Sequence, residues 1–379
     1  MADVVRHVVL LAGKLSAGDA RMVLGLVVRL AERGIAAEVV CVAGGGVLMP
    51  GPGVVVCPSL GSRWWRPWAV RRLGGGEAPR RPELVHALGH EVADAALALA
   101  ETWRVPYVLT IDAFLPCGER LRVSRSWCRA LVAVNGELAD DLVRNLGIPA
   151  AMLAVVPMGI AVPEPGPDRR ASGPVRVVGT AGPLAPGSGL PTFLAAARRI
   201  IDAGVDAEFI VAGQGPEEAD LRRGAERLKV ADRVTFTDDP TGDGAFLKVL
   251  DVFCHTAPVP TVGRALGAAL AAGIPAVASD VPGLDALLPN DQTGLRVPPG
   301  DPVALADAVL ALLSDPLRAR RLGRRGRAWV ARRFDPEGEA AALVELYRRV
   351  LDGAMPAPAL PRVDTPGWAG AARAATRRS

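Results

Sequence analysis

The sequence predicts an α/β protein made of two Rossmann-like, doubly wound parallel-sheet domains facing a central cleft. Three observations carry that expectation. The chain has 379 residues, too many for one ordinary core and enough for two domains of about 150–200 residues. Short β-rich runs alternate with helical ones along most of it, and strand, helix, strand within about 35 residues is a unit that joins parallel strands. A stretch rich in Pro, Gly and charge, VPEPGPDRRASGP at 162–174, divides the pattern in two.

The first domain, residues 1–162, opens with a strand at 7–12. That apolar run is too short for a signal segment or a membrane span, so it reads as a buried strand and the protein is expected in the cytosol. A helix at 20–33 shows apolar residues at helical spacing, and a strand follows at 37–43. The alternation resumes with a strand at 84–87, a helix at 92–103, strands at 107–111 and 131–134, a helix at 136–146 and a strand at 154–156. After the linker at 163–174, the second domain, 175–335, repeats the scheme. Strands are expected at 175–179, 208–212, 233–236, 252–255, 275–278 and 294–297. Helices are expected at 190–203, 216–228, 264–272, 302–313 and 317–333. A last helix in 336–354 is expected to cross back to the first domain, and the tail at 355–379, rich in Pro, Ala, Gly and Arg, to be disordered.

Composition excludes several classes. Half the residues are hydrophobic and 22% charged, as in a packed globular protein. The net charge is +4 and the arginines are dispersed without a recognition motif, so nucleic acid is not an expected partner. Five cysteines (Cys41, Cys57, Cys117, Cys128, Cys254) are scattered with no C-x-x-C pair, and no His cluster has metal-ligand spacing, so neither disulfides nor a metal are expected.

In open parallel sheets ligands bind beyond the carboxyl ends of the strands, where Gly-rich turns and helix N-termini face anions. Four turns fit. Gly18 lies in Leu15-Ser16-Ala17-Gly18-Asp19, as a ligand contact or an ordinary turn. Gly182 opens a Gly- and Pro-rich loop that runs to Gly189, as a ligand cradle or a plain connector. Gly213 and Gly215 flank Gln214, with Pro216 expected at the first helical position. Thr261, Val262, Gly263 and Arg264 lead into a helix that Thr261 is expected to cap, its free amides facing the cleft.

Taken in order, these segments resemble a known family. Gly213-Gln214-Gly215-Pro216 and 271–280 (AAGIPAVASD), with Asp251-Val252-Phe253 ahead and 293–301 (TGLRVPPGD) behind, look like the C-terminal half of family 4 retaining glycosyltransferases of GT-B fold. Val156-Pro157-Met158-Gly159-Ile160 and 82–87 (PELVHA) resemble parts of the family's first domain. The likeness spans about residues 7–351. It implies a C-terminal domain that binds a nucleotide-diphosphate sugar, an N-terminal domain that binds a glycan or lipid-linked acceptor, and no metal or other cofactor. It points to Gly182, Gly213, Gly215, Thr261, Val262, Gly263 and Arg264 on the donor side.

The departures from the family pattern are specific. The Arg and Lys that clamp the donor diphosphate read Pro183 and Ser188, and the two donor-site glutamates read Pro260 and Ala268. The histidine at the end of the fourth strand reads Asp112. A positioned cation or donor contributes roughly 10²–10³ in rate, so losing two removes on the order of 10⁴. Two readings follow: a sugar transferase, or a catalytically inactive GT-B scaffold that partners an active one. Arg264 is a conceivable replacement cation, or a solvated arginine at a helix start.

On the acceptor side, His86 and His90 lie near a strand end, as acceptor contacts or as structural residues. Glu91 and Asp112, near the same edge, could form the acid/base element of a modified site. Finally, Trp64, Trp65 and Trp68 are interleaved with Arg63, Arg66, Arg71 and Arg72. The expectation is a helix that packs its tryptophans on the sheet and leaves its arginines in water. The alternative is peripheral contact with the inner membrane face.

Overall fold

The computed structural model describes residues 6–77, 81–116, 121, 123–124, 126–164, 175–238, 246–289 and 292–353. Most of the expected linker, 165–174, and the tail expected at 355–379 lie outside the described residues. Two compact units result: one runs to Met158 and resumes at Pro336, and the other is Gly159–Asp335.

In the first unit the strands are β1 (Arg6–Lys14), β2 (Ile35–Ala43), β3 (Val54–Val56), β4 (Leu84–Ala87), β5 (Tyr107–Ile111), β6 (Cys128–Ala133) and β7 (Leu153–Val155). They form one parallel sheet in the order β3-β2-β1-β4-β5-β6-β7. Val8, Val9, Leu10 and Leu11 are all fully buried, as befits a strand with helices on both faces. The order reverses at β1 and β4, which places a ligand-accepting edge there.

The helices of this unit are α1 (Ala17–Glu32), α2 (Arg66–Arg72), α3 (Ala93–Trp103), α4 (Gly136–Leu146) and, from the far end of the chain, α10 (Pro336–Leu351). Helix α1 starts three residues earlier than expected because Ser16 and Asp19 form a reciprocal capping box. Strand β3 was not expected; three valines give too short a run for any periodicity to register. Helix α10 buries Leu343, Val344, Tyr347 and Val350 with Val8, Leu10, Leu84 and Val108. Its first turn is fixed to α1, where Arg29 Nε lies 2.9 Å and Arg33 Nη2 2.6 Å from the Glu337 carboxylate.

The second unit holds β8 (Arg176–Ala181), β9 (Ala207–Ala212), β10 (Val234–Thr237), β11 (Val252–His255), β12 (Ala276–Ser279) and β13 (Leu295–Val297). These too are parallel, in the order β10-β9-β8-β11-β12-β13. Helices α5 (Leu190–Asp202), α6 (Glu218–Arg227), α7 (Arg264–Ala271), α8 (Pro302–Ser314) and α9 (Pro316–Arg333) complete it. On one face Phe193 and Ile200 of α5 and Leu305 and Val309 of α8 meet Val178, Phe209 and Val252. Phe193 and Phe209 stack edge to face at 6.1 Å. Pro216 does not open α6: it lies in a turn, and the helix begins at Glu218 after the N-cap Glu217.

Candidate functional site

In the first unit the carboxyl ends of β1, β4 and β5 are neighbours. Beyond β4 the chain makes a short turn, His90–Val92, and directly beyond β5 stands Asp112. This sheet order brings together three side chains that are far apart in sequence. His90 Nδ1 lies 3.9 Å from Asp112 Oδ1 and 4.0 Å from Glu91 Oε2. The His90 and Asp112 side chains are 23% and 20% exposed, whereas Glu91 is 54% exposed, so the cluster is backed by protein and open to solvent.

Glycines make the room for it. A Cβ on Gly89 would sit 2.2 Å from Glu91 Oε2, and one on Gly13 2.6 Å from Glu91 Oε1. Gly89 has φ −176, ordinary extended backbone, so what it supplies is space rather than conformational freedom. An imidazole between two carboxylates can accept, relay or orient a proton. The same three groups offer ligand atoms within 4.8 Å of one another and could hold a divalent ion.

His86 is not part of this cluster. Its ring is buried within the unit, with Nδ1 2.6 Å from the Tyr347 hydroxyl and Nε2 2.7 Å from Thr110 Oγ1. Burial pushes it down to about 3, so it stays neutral and structural. Gly18 also takes a different place from the one expected: it lies inside the first turn of α1, behind the N-cap Ser16. Ser16 Oγ and the Asp19 carboxylate occupy that helix start, which disfavours an anion there.

In the second unit the glycines zip two turns together. Gly182 N–H donates to Ala212 O at 3.0 Å, Gly213 N–H to Thr237 O at 2.9 Å, and Leu184 N–H to Gln214 O at 2.9 Å. A Cβ on Gly213 would stand 1.9 Å from Gly182 O, and one on Gly215 2.2 Å from Leu184 O. The Gly182 and Gly213 amides thus bond neighbouring main chain, and these residues hold the loops after β8 and β9 against each other.

The helix starts offer more to an anion. Helices α5 and α7, which follow the adjacent strands β8 and β11, begin at N-caps Gly189 (φ 74) and Gly263 (φ 67), neither with a side-chain cap. Gly263, not Thr261, is the cap of α7; the Thr261 hydroxyl instead accepts from Gly263 N–H at 3.4 Å. Gly189 is close-packed, since a Cβ there would lie 1.8 Å from Thr256 O. Val262 and Arg264, the latter at the first helical position, flank the α7 cap and are half-buried. Uncapped amides at a helix start are donors for phosphate.

Two polar groups at this edge were not singled out as ligand contacts from sequence. His255 Nε2, at the end of β11, and Ser188 Oγ, just before α5, are enclosed without a hydrogen-bond partner among the described residues. Burial pushes His255 down to about 4. The only local signal was a histidine ending an otherwise apolar strand.

The tryptophans are not packed on the sheet. Trp64, Trp65 and Trp68 are 88%, 64% and 51% exposed, and α2 turns Ala69 and Val70 inward instead. Among the described residues no helix is long and apolar enough to cross a membrane.

Comparison with known proteins bears on both units. Residues 17–164 match the model described as Glycosyltransferase Family 4, and residues 175–315 the model described as Glycosyl transferases group 1. Glycogen synthase of Mycobacterium tuberculosis is 29% identical over 309 residues, covering 76% of this chain and 74% of its own. A 2-deoxystreptamine glucosyltransferase of Streptomyces kanamyceticus is 28% identical over 239 residues, 58% of this chain and 60% of its own. Among solved structures, sucrose-phosphate synthase of Thermosynechococcus elongatus superposes with a TM-score of 0.72 at 21% identity, covering 92% of this chain and 100% of that one. HepE of Anabaena, solved in complex with UDP, gives 0.70 at 18% identity over 90% and 99%. Two parallel-sheet Rossmann-like units, each matched by a glycosyltransferase model, place this chain in the family 4 glycosyltransferases of GT-B fold.

Proposed function

We propose that the protein transfers a hexosyl unit from a nucleotide-diphosphate sugar to a glycan or lipid-linked acceptor with retention of anomeric configuration, in the cytosol and without a metal. The observation that carries this reading is the His90, Glu91 and Asp112 cluster, with Gly13 and Gly89 leaving room for the Glu91 carboxylate. Asp112 stands where the family has a histidine, and an imidazole reaches the same place from His90. In the transfer, the bond from the anomeric carbon to the diphosphate oxygen breaks as the acceptor oxygen bonds that carbon. The diphosphate oxygen leaves with the electron pair of the broken bond, and the cluster orients the acceptor hydroxyl and passes the proton it loses on to solvent.

On the donor side the diphosphate is held by the uncapped amides at the start of α7, with Thr261, Val262, Gly263 and Arg264 around it. His255 Nε2 and Ser188 Oγ, enclosed and without a partner among the described residues, suit hydrogen bonds to a polar ligand, because leaving such a bond unmade costs about 1–3 kcal/mol. The test is a thermal-shift panel of UDP, GDP, ADP and their sugars, followed by a labelled-sugar transfer assay with and without chelator. A ligand at 100 times its Kd stabilises by about 2.7 kcal/mol, so a diphosphate that binds raises the melting point, and label must then appear in acceptor with chelator present.

A second reading rests on Pro183, Ser188, Pro260 and Ala268, which supply neither the cations nor the carboxylates of the family's donor site. It makes the chain an inactive scaffold that partners an active glycosyltransferase. No thermal shift with any nucleotide and no transfer would favour it over the first.

A further inference from the structure

We propose that residues 63–72 form a docking face for a membrane surface that carries anionic lipid headgroups. Soluble proteins seldom expose large apolar side chains in one contiguous patch. Here Trp64, Trp65 and Trp68 are 88%, 64% and 51% exposed within five residues.

The platform beneath them is fixed. Ala69 and Val70 of α2 are 0% and 6% exposed, Pro67 lies in the first helical turn, and Arg66 is committed inward. Its Nε donates to Leu60 O at 3.2 Å, and its Nη1 lies 3.1 Å from Asp94 Oδ2. The indoles are therefore held outward by a packed helix.

The outward face is also cationic. Residues 63–72 contain four arginines and no carboxylate; Arg63, Arg71 and Arg72 are exposed, with Glu101 the further acidic group beside the adjoining hollow. The Arg72 guanidinium lies 5.3 Å over the Trp68 ring, a cation–π pairing that keeps charge and indole together. Indoles settle at the depth of lipid headgroups, and arginines are drawn to anionic ones. A seven-residue helix is far too short to span a bilayer, so the face lies on the surface. Tryptophan and arginine also make protein hot spots; the one-signed charge of this segment is what favours a lipid surface.

The test is co-sedimentation of the full chain with vesicles of phosphatidylcholine alone and of phosphatidylcholine with phosphatidylglycerol, alongside tryptophan emission. Binding is expected only to the mixed vesicles, with a blue shift, and is expected to weaken as salt rises. Trp64→Ser with Trp65→Ser should lower partitioning about tenfold or more, and Arg63→Gln or Arg71→Gln about fivefold each. All four side chains are exposed, so unchanged melting of these variants confirms that they fold. Failure to bind mixed vesicles, or equal binding to both kinds, overturns the proposal. Self-association in sedimentation equilibrium that the tryptophan variants abolish also overturns it and assigns the face to contact between copies. No vesicle contains donor or sugar acceptor, so the outcome is separate from whether the protein transfers sugar.

Discussion

The imidazole of His86 and the hydroxyl of Tyr347 meet at 2.6 Å inside the first unit, across a sequence separation of 261 residues. The contact ties the last helix to the central strand β4, and a second hydrogen bond joins the ring to the half-buried Thr110 hydroxyl at 2.7 Å. The core over one face of the first sheet therefore closes only when α10 is in place.

Tyr347→Phe keeps the ring and removes the oxygen. It leaves one His86 nitrogen buried without its partner, which costs about 1–3 kcal/mol. Urea unfolding should show that loss, with the second unit's transition unmoved. An unchanged midpoint would mean that the contact contributes nothing to stability.

Acid should destabilise the first unit through the same histidine. His86 has an ordinary value of 6.5 and is pushed to about 3 by burial. Between those values the unfolded chain binds a proton that the native ring refuses, so stability is present above pH 6.5 and is lost as pH falls toward 3. The slope approaches about 1.4 kcal/mol per pH unit. His255, pushed to about 4, acts in the same direction in the second unit. Melts at stepped pH of the native chain and of His86→Gln should differ in slope across this window, the variant being flatter.

Much of this architecture was legible because bounded apolar runs mark buried strands. Leu84–Ala87, Tyr107–Ile111 and Val252–His255 lie where the runs place them. Val54–Val56 escaped because three residues have no period, and the start of α1 moved because Ser16 and Asp19 take up its first amides. Of the site, His90, Glu91 and Asp112 were each readable as edge residues. That Glu91 and Asp112 share an edge was readable too, but the meeting of His90 with both carboxylates was not, since it depends on β4 and β5 being neighbours. His86 and His90 looked alike in sequence, yet one ring lies in the core and the other at the rim. Gly182 and Gly213 stayed open between ligand turn and connector in sequence, because a glycine that lets a phosphate approach looks the same as one that lets another loop approach.

Gly89→Ala separates the roles at the rim. Its extended φ of −176 suits alanine, but the new Cβ would fall 2.2 Å from Glu91 Oε2, and the half-exposed side chain must swing away. Stability should stay within about 0.5 kcal/mol, while kcat/KM for transfer drops roughly tenfold or more, and Asp112→Asn lowers it about 10²-fold. Full activity in both would remove the cluster from the reaction.

Gly213→Ala should behave in the opposite way. Its φ is 150, and a Cβ would meet the Gly182 carbonyl oxygen at 1.9 Å, so backbone must move on both loops. Strain and overpacking together cost about 2–5 kcal/mol. The second unit's melting transition should fall accordingly, with the first unit's unaffected.

Arg264 decides whether a side chain still helps the main chain grip a diphosphate. It opens α7 beside the uncapped Gly263, at the end of a helix whose dipole repels cations and attracts anions. An arginine in that place stabilises best when a bound anion lies between it and the amides. A charge-assisted bond of this kind is worth about 1.5–3 kcal/mol, so Arg264→Ala should weaken nucleoside-diphosphate binding by about 10- to 150-fold in calorimetry. Arg264→Lys should lose less, since it keeps the charge but not the planar fork. Equal affinity in all three proteins would show that main-chain amides act alone, and Arg264 would then be no part of the donor site.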